Sequence, residues 1–204
     1  MRGLYPFYSE LAARFAQAGH HAVTIDYFGR TAGLGPRDEE FDYRPHVSQT
    51  TVEQVQADVK AAIVELEERT EVTGVVAVGF CFGGMQAFLA ATSPSLGLDA
   101  VIGFYAGLDT AERYGFPGPL QRADEIRGPL LGLFGGADQG IPVEQVRVFE
   151  RKLSDAHVEH EIEIYAGAPH SFFDRSYAEH ADACEDAWRR VLGFLGHVGT
   201  SPTR

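Results

Sequence analysis

The hexapeptide Gly79-Phe80-Cys81-Phe82-Gly83-Gly84 constrains this chain more than any other stretch. An apolar run, Val75-Val76-Ala77-Val78, leads into it, and a helical pattern over residues 85–91 leads out. Strand, sharp turn and helix are the setting of a nucleophile elbow of the G-x-S-x-G type, with a thiol where the serine would stand. Gly79 and Gly83, two residues either side of Cys81, are expected to let strand and helix approach closely, while the turn strains the backbone of Cys81 itself. A thiol held this way sits at the carboxyl edge of a sheet and at the positive end of a helix dipole, which favours thiolate. The alternative for Cys81 is a buried structural thiol beside tight-turn glycines.

The rest of the chain alternates in the same way. Residues 7–18 place Tyr8, Leu11, Ala12, Phe15 and Ala18 on one helical face, with Gly19 as a stop. Residues 21–25 read as a short strand ending at Asp26. From Tyr27 to Gln49 glycines, prolines and charges break every period, which predicts a long functional loop. Thr50-Thr51-Val52-Glu53 has capping-box spacing, and Val52, Val55, Val59, Ile63 and Leu66 follow as a helical stripe. After the elbow, strands are predicted over 100–104, 129–134 and 161–165, the last as an edge strand. Pro142 opens a helix carrying Val143, Val146, Phe149 and Leu153 inward, and a last helix over about 177–195 buries Ala181, Cys184, Trp188, Val191 and Leu195. Strands and helices in this order predict one α/β domain over residues 1–204 with a mainly parallel sheet flanked by helices.

Composition removes whole classes of function. A formal net charge of −12 with no basic cluster argues against a nucleic-acid partner. No run of eighteen apolar residues offers a membrane span, and residues 1–6 lack a signal peptide's apolar segment. Two cysteines fit a reducing, cytoplasmic setting rather than a disulfide framework. Cys184 lies on an apolar helical stripe and reads as an inert buried thiol. His20 and His21 have no third ligand at metal-like spacing, so no metal site is expected.

In parallel α/β sheets the loops at the carboxyl ends of strands share one edge, where ligands bind. Cys81, Asp138 and His170 each follow a different predicted strand in such a loop, in the order nucleophile, acid, histidine of the α/β-hydrolases. Cys81 would attack an acyl carbon, His170 would hold or exchange its proton, and Asp138 would orient the imidazole. The backbone N–H of Phe82 would donate to the oxyanion. Taken singly, Asp138 is equally a turn former in Gly135-Gly136-Ala137-Asp138, and His170 equally a loop histidine.

At these residues the chain resembles the dienelactone hydrolase family, the cysteine branch of the α/β-hydrolases. The resemblance rests on the elbow, on Gly135-Gly136-Ala137-Asp138 before the Pro142 helix, and on Pro169-His170-Ser171-Phe172-Phe173. Asp26-Tyr27-Phe28-Gly29-Arg30 and Ala187-Trp188-Arg189-Arg190 also fit, so nearly the whole chain is covered. It implies hydrolysis of a lactone or small ester through an acyl-thiol intermediate, with no cofactor or metal and a small-molecule substrate as partner. A general carboxylesterase or thioesterase, and a non-catalytic ligand-binding or truncated inactive relative, are the alternatives.

Two departures from the family pattern carry expectations of their own. Family members usually have one or more strands before the helix that opens this chain, so the fold is expected to be N-terminally shortened and the reading frame to begin upstream of Met1. Met1 or Arg2 would then fall near the second oxyanion donor. The family also holds its substrate's carboxylate with arginines, one shortly after the histidine. Here Asp174 stands four residues after His170 and Arg175 five after, so Arg175 reads either as the substrate-binding residue through a shifted loop or as a surface charge, with Arg44 in the long loop a weaker candidate and Tyr105 at a strand end either lining the pocket or capping the sheet. Asp26 and Arg30 are expected to shape the loop after their strand.

Overall fold

Helix α1 (Pro6–Gln17) begins where a proline's fixed φ suits a first turn, and turns Leu11 and Phe15 inward. Gly19, at φ 90°, ends it in a conformation that favours glycine. The computed structural model describes residues 3–35, 37–38 and 40–198, and the chain divides between Val72 and Thr73 into two compact units.

In the first unit, α1 is followed by the single-turn helices α2 (Gly29–Ala32) and α3 (Arg44–Val47) and by the long α4 (Val52–Arg69). The capping box at the head of α4 uses Thr51 and Gln54, one residue later than the spacing from Thr50 to Glu53 predicts. The reason is local: the Thr50 hydroxyl donates to the carbonyl of His46 at 2.9 Å, which leaves Thr51 as the extended residue before the helix. The strand expected over 21–25 does not form. A strand exists only where a neighbour takes its N–H and C=O groups, and every described strand belongs to the second unit.

The long loop after Asp26 is built around a buried cation. Arg37 Nη2 lies 2.8 Å from Asp26 Oδ2 and also donates to the carbonyl of Gly33, while Nη1 donates to the carbonyl of Gly35. The guanidinium lies 4.7 Å over the ring of Phe41, and Phe28 is fully buried. Asp26 Oδ1 in turn accepts from the N–H of Phe28, and Arg30 pairs with Asp58 on α4. Asp26 and Arg30 therefore shape this loop, as expected, with Arg37 as the unforeseen centre.

The second unit runs β1 (Val76–Phe80), α5 (Phe82–Ala90), β2 (Ala100–Phe104), α6 (Ala111–Tyr114), β3 (Leu130–Gly135), α7 (Val143–Asp155), β4 (His160–Tyr165) and α8 (Ala181–Val198). Its four strands are all parallel in the order β1-β2-β3-β4. β2 and β3 are buried along their whole length, whereas β4, at one edge, mixes exposed and half-buried positions. This is the α/β architecture expected, with helices packed on a parallel sheet. Pro142 is the residue before α7 rather than its first. α8 starts four residues late because 176–180 form turns closed by bonds from the N–H groups of Glu179 and His180 to Ser176. Cys184 and Val191 are buried on α8 as predicted, while Trp188 is half-buried. Arg190 clamps α8 to β4 by pairing with Asp186, Glu161 and Glu163, and the Tyr165 hydroxyl donates to Asp186 at 2.9 Å.

Parallel strands present their carboxyl ends together, so the residues following β1, β2, β3 and β4 form one edge of this unit. Those residues are Cys81, Tyr105, the turn at 136–138, and the loop reaching His170.

Candidate active site

Cys81 sits between β1 and α5 with φ 56° and ψ −116°, a conformation that costs a non-glycine residue about 1–3 kcal/mol. Three contacts hold it there. Its N–H donates to the carbonyl of Phe104 at 3.0 Å, its carbonyl accepts from Met85 at 3.0 Å, and α5 packs directly against β1. That packing depends on Gly79, where a Cβ would lie 2.0 Å from the carbonyl oxygen of Gly83. A Cβ at Gly83 itself would have open space out to 4 Å, so its expected steric role passes to Gly84, where a Cβ would lie 3.0 Å from Phe104 O and from Ala106. Gly79→Ala is therefore expected to destabilise the protein by about 3 kcal/mol, whereas Gly83→Ala leaves stability unchanged or raises it by up to about 1 kcal/mol. Urea midpoints of the two variants test this pair.

Asp138 leaves β3 in a tight turn, nearly all of its side chain buried. Its Oδ1 accepts from the N–H groups of Gly140 at 2.8 Å and Ile141 at 3.2 Å, and its Oδ2 lies 2.6 Å from His170 Nδ1. Both oxygens are thus committed, one to the backbone and one to the imidazole. The turn and the His170 loop are laced together: Gly136 N–H donates to Tyr165 O at 2.8 Å and Ala137 N–H to Ala168 O at 2.9 Å. Gly135 makes this possible, because a Cβ there would meet Ala168 O at 2.4 Å.

The His170 ring also lies near enough to the Cys81 side chain for each to shift the other's ionisation, so one imidazole neighbours both carboxylate and thiol. Burial opposes the charge on His170, but the Asp138 carboxylate and Cys81 outweigh it and raise its pKa to about 10. Burial likewise pushes the Cys81 thiol up, yet the neighbouring His170 imidazolium and the Phe82 N–H bring it below its ordinary value. Both shifts favour a thiolate–imidazolium pair. Its window opens as pH rises through the lowered thiol pKa and closes as His170 loses its proton near pH 10. Alkylation of Cys81 by iodoacetamide should accordingly persist to a lower pH than that of an unactivated thiol, with Cys184 as the slow internal control. A profile rising only near pH 9, about where an unactivated thiol ionises, would contradict the ion pair.

The other expected site residues fall differently. Phe82 is buried at the first position of α5, and its N–H is one of the groups that lower the pKa of the Cys81 thiol. Arg2 lies outside the described residues. Arg175 is exposed at the end of the His170 loop, its backbone N–H bonded to Ser171 O at 2.9 Å. Arg44 belongs to the first unit, its side chain 80 % exposed and 3.5 Å from Asp42. Tyr105 has no exposed surface: its hydroxyl donates to Asp174 Oδ1 at 2.8 Å, and its ring lies 5.0 Å from that of His170. Sequence reasoning missed Tyr114, edge-on to Phe82 at 5.4 Å, and the strained Ser171 at φ 61°. Neither stands in a periodic segment, so no pattern marks it.

Among the described residues no group of three or more His, Cys, Asp or Glu side chains is arranged to hold a metal ion, and no helix is long and apolar enough to cross a membrane.

Comparison with known proteins gives a consistent neighbourhood. A sequence profile of the dienelactone hydrolase family matches residues 1–199. The carboxymethylenebutenolidase of Rhodococcus opacus is 32% identical over 95% of this chain and 76% of its own length. A provisionally named carboxymethylenebutenolidase of Saccharolobus solfataricus is 36% identical over 74% of this chain, which spans only 54% of that relative. The crystal structure of a provisionally assigned dienelactone hydrolase from Klebsiella pneumoniae superposes with a TM-score of 0.85 at 26% identity, covering 96% of this chain and 82% of that one.

Proposed function

The chain belongs to the dienelactone hydrolase family, a family of lactone and ester hydrolases, and from that premise we propose that it cleaves a lactone or small carboxylic ester through Cys81, His170 and Asp138. The observation that carries this reading is the 2.6 Å bond from the Asp138 carboxylate to a His170 ring that interacts electrostatically with a Cys81 thiol held on a strained turn.

The chemistry follows from these groups. The Cys81 thiolate attacks the acyl carbon, a C–S bond forms, and the carbonyl π pair moves onto oxygen. The Phe82 N–H, at the start of α5 beside the thiol, donates to the new oxyanion. Collapse breaks the ester C–O bond, and the leaving alkoxide takes the His170 proton. In a lactone that alcohol stays tethered to the acyl group. Neutral His170 then accepts a proton from water as the water attacks the thioester, and expulsion of the thiolate restores the ion pair. Asp138 keeps the imidazole in the tautomer these transfers need and stabilises its charged form throughout. No step calls on a metal or an organic cofactor.

The test is turnover of an activated aryl ester and of an unsaturated five-membered lactone by the purified chain. The proposal expects at least one to be hydrolysed at a rate proportional to the concentration of unalkylated Cys81. Absence of turnover of both by folded protein with a reactive Cys81 would overturn it.

A further inference from the structure

We infer that Tyr105 and Asp174 form a positioning pair that holds the His170 imidazole in line between Cys81 and Asp138, an inference that rests on the catalytic reading above. Neither residue touches the reacting atoms in that reading; both act through His170.

The first observation is where Tyr105 is anchored. It directly follows β2, carries a φ of 36° that a bulky residue rarely adopts, and donates its N–H to Leu133 O at 2.7 Å. The strained turn sends a fully buried side chain beneath the His170 loop. Its ring lies 5.0 Å from the His170 ring at 57° and meets Phe172 edge-on at 5.7 Å, so it forms a floor for the loop. A buried tyrosine hydroxyl needs an acceptor, and here the acceptor is Asp174, 2.8 Å away and 69 residues on in sequence. A hydrogen bond to a carboxylate is shorter and stronger than one between neutral groups.

The second observation is how the His170 loop depends on that bond. Ser171 sits at φ 61°, and the Arg175 N–H closes back on Ser171 O, so Asp174 lies within a turn that starts one residue after the histidine. Cys184 Sγ donates to Phe172 O at 3.4 Å from the far side. The loop is thus pinned from α8 at Phe172 and from β2 at Asp174. The His170 side chain is 37 % exposed, so burial alone does not fix its ring. Asp138 orients the ring, and the two-point hold fixes the backbone that carries it. Misplacement of a catalytic group by about 1 Å can cost on the order of 100-fold in rate, which is the margin the pair protects.

Three variants test the pair: Tyr105→Phe, Asp174→Ala and Asp174→Asn. The readouts are kcat and KM for the activated ester, and the rate of Cys81 alkylation by iodoacetamide, which needs no substrate. Tyr105→Phe and Asp174→Ala should each lower kcat by about 10-fold with KM within twofold of the parent and with alkylation slowed. Asp174→Asn, whose amide oxygen still accepts from the hydroxyl, should restore most of both. The double variant Tyr105→Phe/Asp174→Ala should be no worse than either single variant. Parental kcat and alkylation in folded Tyr105→Phe would overturn the inference, as would Asp174→Asn matching Asp174→Ala. If the parent alkylates fast but hydrolyses nothing, the proposed hydrolysis fails, and slowed alkylation in Tyr105→Phe and Asp174→Ala, restored in Asp174→Asn, would still support the pair.

Discussion

Replacing Cys81 by alanine is expected to lower ester and lactone turnover by a factor on the order of 10⁴ or more, while the protein still folds. The size of the loss follows from what remains. Alanine keeps the Phe82 N–H, the start of α5 and the Asp138–His170 bond, but no group can form the C–S bond on which every later step depends. Residual hydrolysis would come from the oxyanion donor and binding alone. The fold should survive because the supports of the elbow are backbone bonds, from Cys81 N–H to Phe104 O and from Met85 N–H to Cys81 O, which alanine can keep. Cys81→Ser is the sharper control. It preserves shape, yet a hydroxyl does not ionise beside His170 as a thiol does, so turnover should again fall by orders of magnitude. Parental turnover by a clean Cys81→Ala preparation would remove the nucleophile.

Asp138→Asn is expected to lower kcat by about 10³- to 10⁴-fold with a loss of stability of about 1 kcal/mol. The asymmetry comes from the two oxygens of Asp138. Asparagine can keep an acceptor toward the N–H groups of Gly140 and Ile141, so the turn persists. Its NH₂ then faces His170 Nδ1, which must become an acceptor, and the ring proton moves to the nitrogen facing Cys81. That is the wrong tautomer for taking a proton from the thiol. The imidazolium also loses the carboxylate that favours it, so His170 should titrate well below its present value of about 10, and alkylation of Cys81 in mild acid should slow together with kcat. Asp138→Asn with parental kcat would mean that His170 takes its orientation from elsewhere.

Much of the candidate site's placement was legible in the sequence because its residues stand at strand ends and strand ends are marked by apolar runs. Three runs, each closed by a glycine-bearing or polar turn, point to Cys81, Asp138 and His170 in one chain order, and parallel pairing then brings the three turns to one edge. What stayed illegible was decided by contacts between positions distant in sequence or by rivalry between neighbours. Thr50 and Thr51 both suit a cap, and only the carbonyl of His46, in a helix of one turn, selects Thr51. Gly83 and Gly84 are interchangeable on paper; the approach of Ala106 and Phe104 O makes Gly84 the crowded one. Residues 21–25 have strand composition but no described ladder partner in their own unit, and composition cannot supply one. Tyr105, at the end of a buried strand, reads equally as a pocket residue or a cap on the sheet; its partner Asp174 stands 69 residues later in a loop without periodicity. Arg37 reads as one more charge in a charged loop, and its burial against Asp26 follows from the fold of that loop alone.

The central claim is that Cys81 carries the acyl group, and the most direct measurement is mass spectrometry of protein quenched in acid during turnover of a slow ester. The account predicts a mass increase equal to one acyl group, located on the peptide bearing Cys81 and lost on further incubation in water. Hydrolysis that proceeds with no acyl group on Cys81, or with the group on Cys184 or a hydroxyl side chain instead, would contradict it.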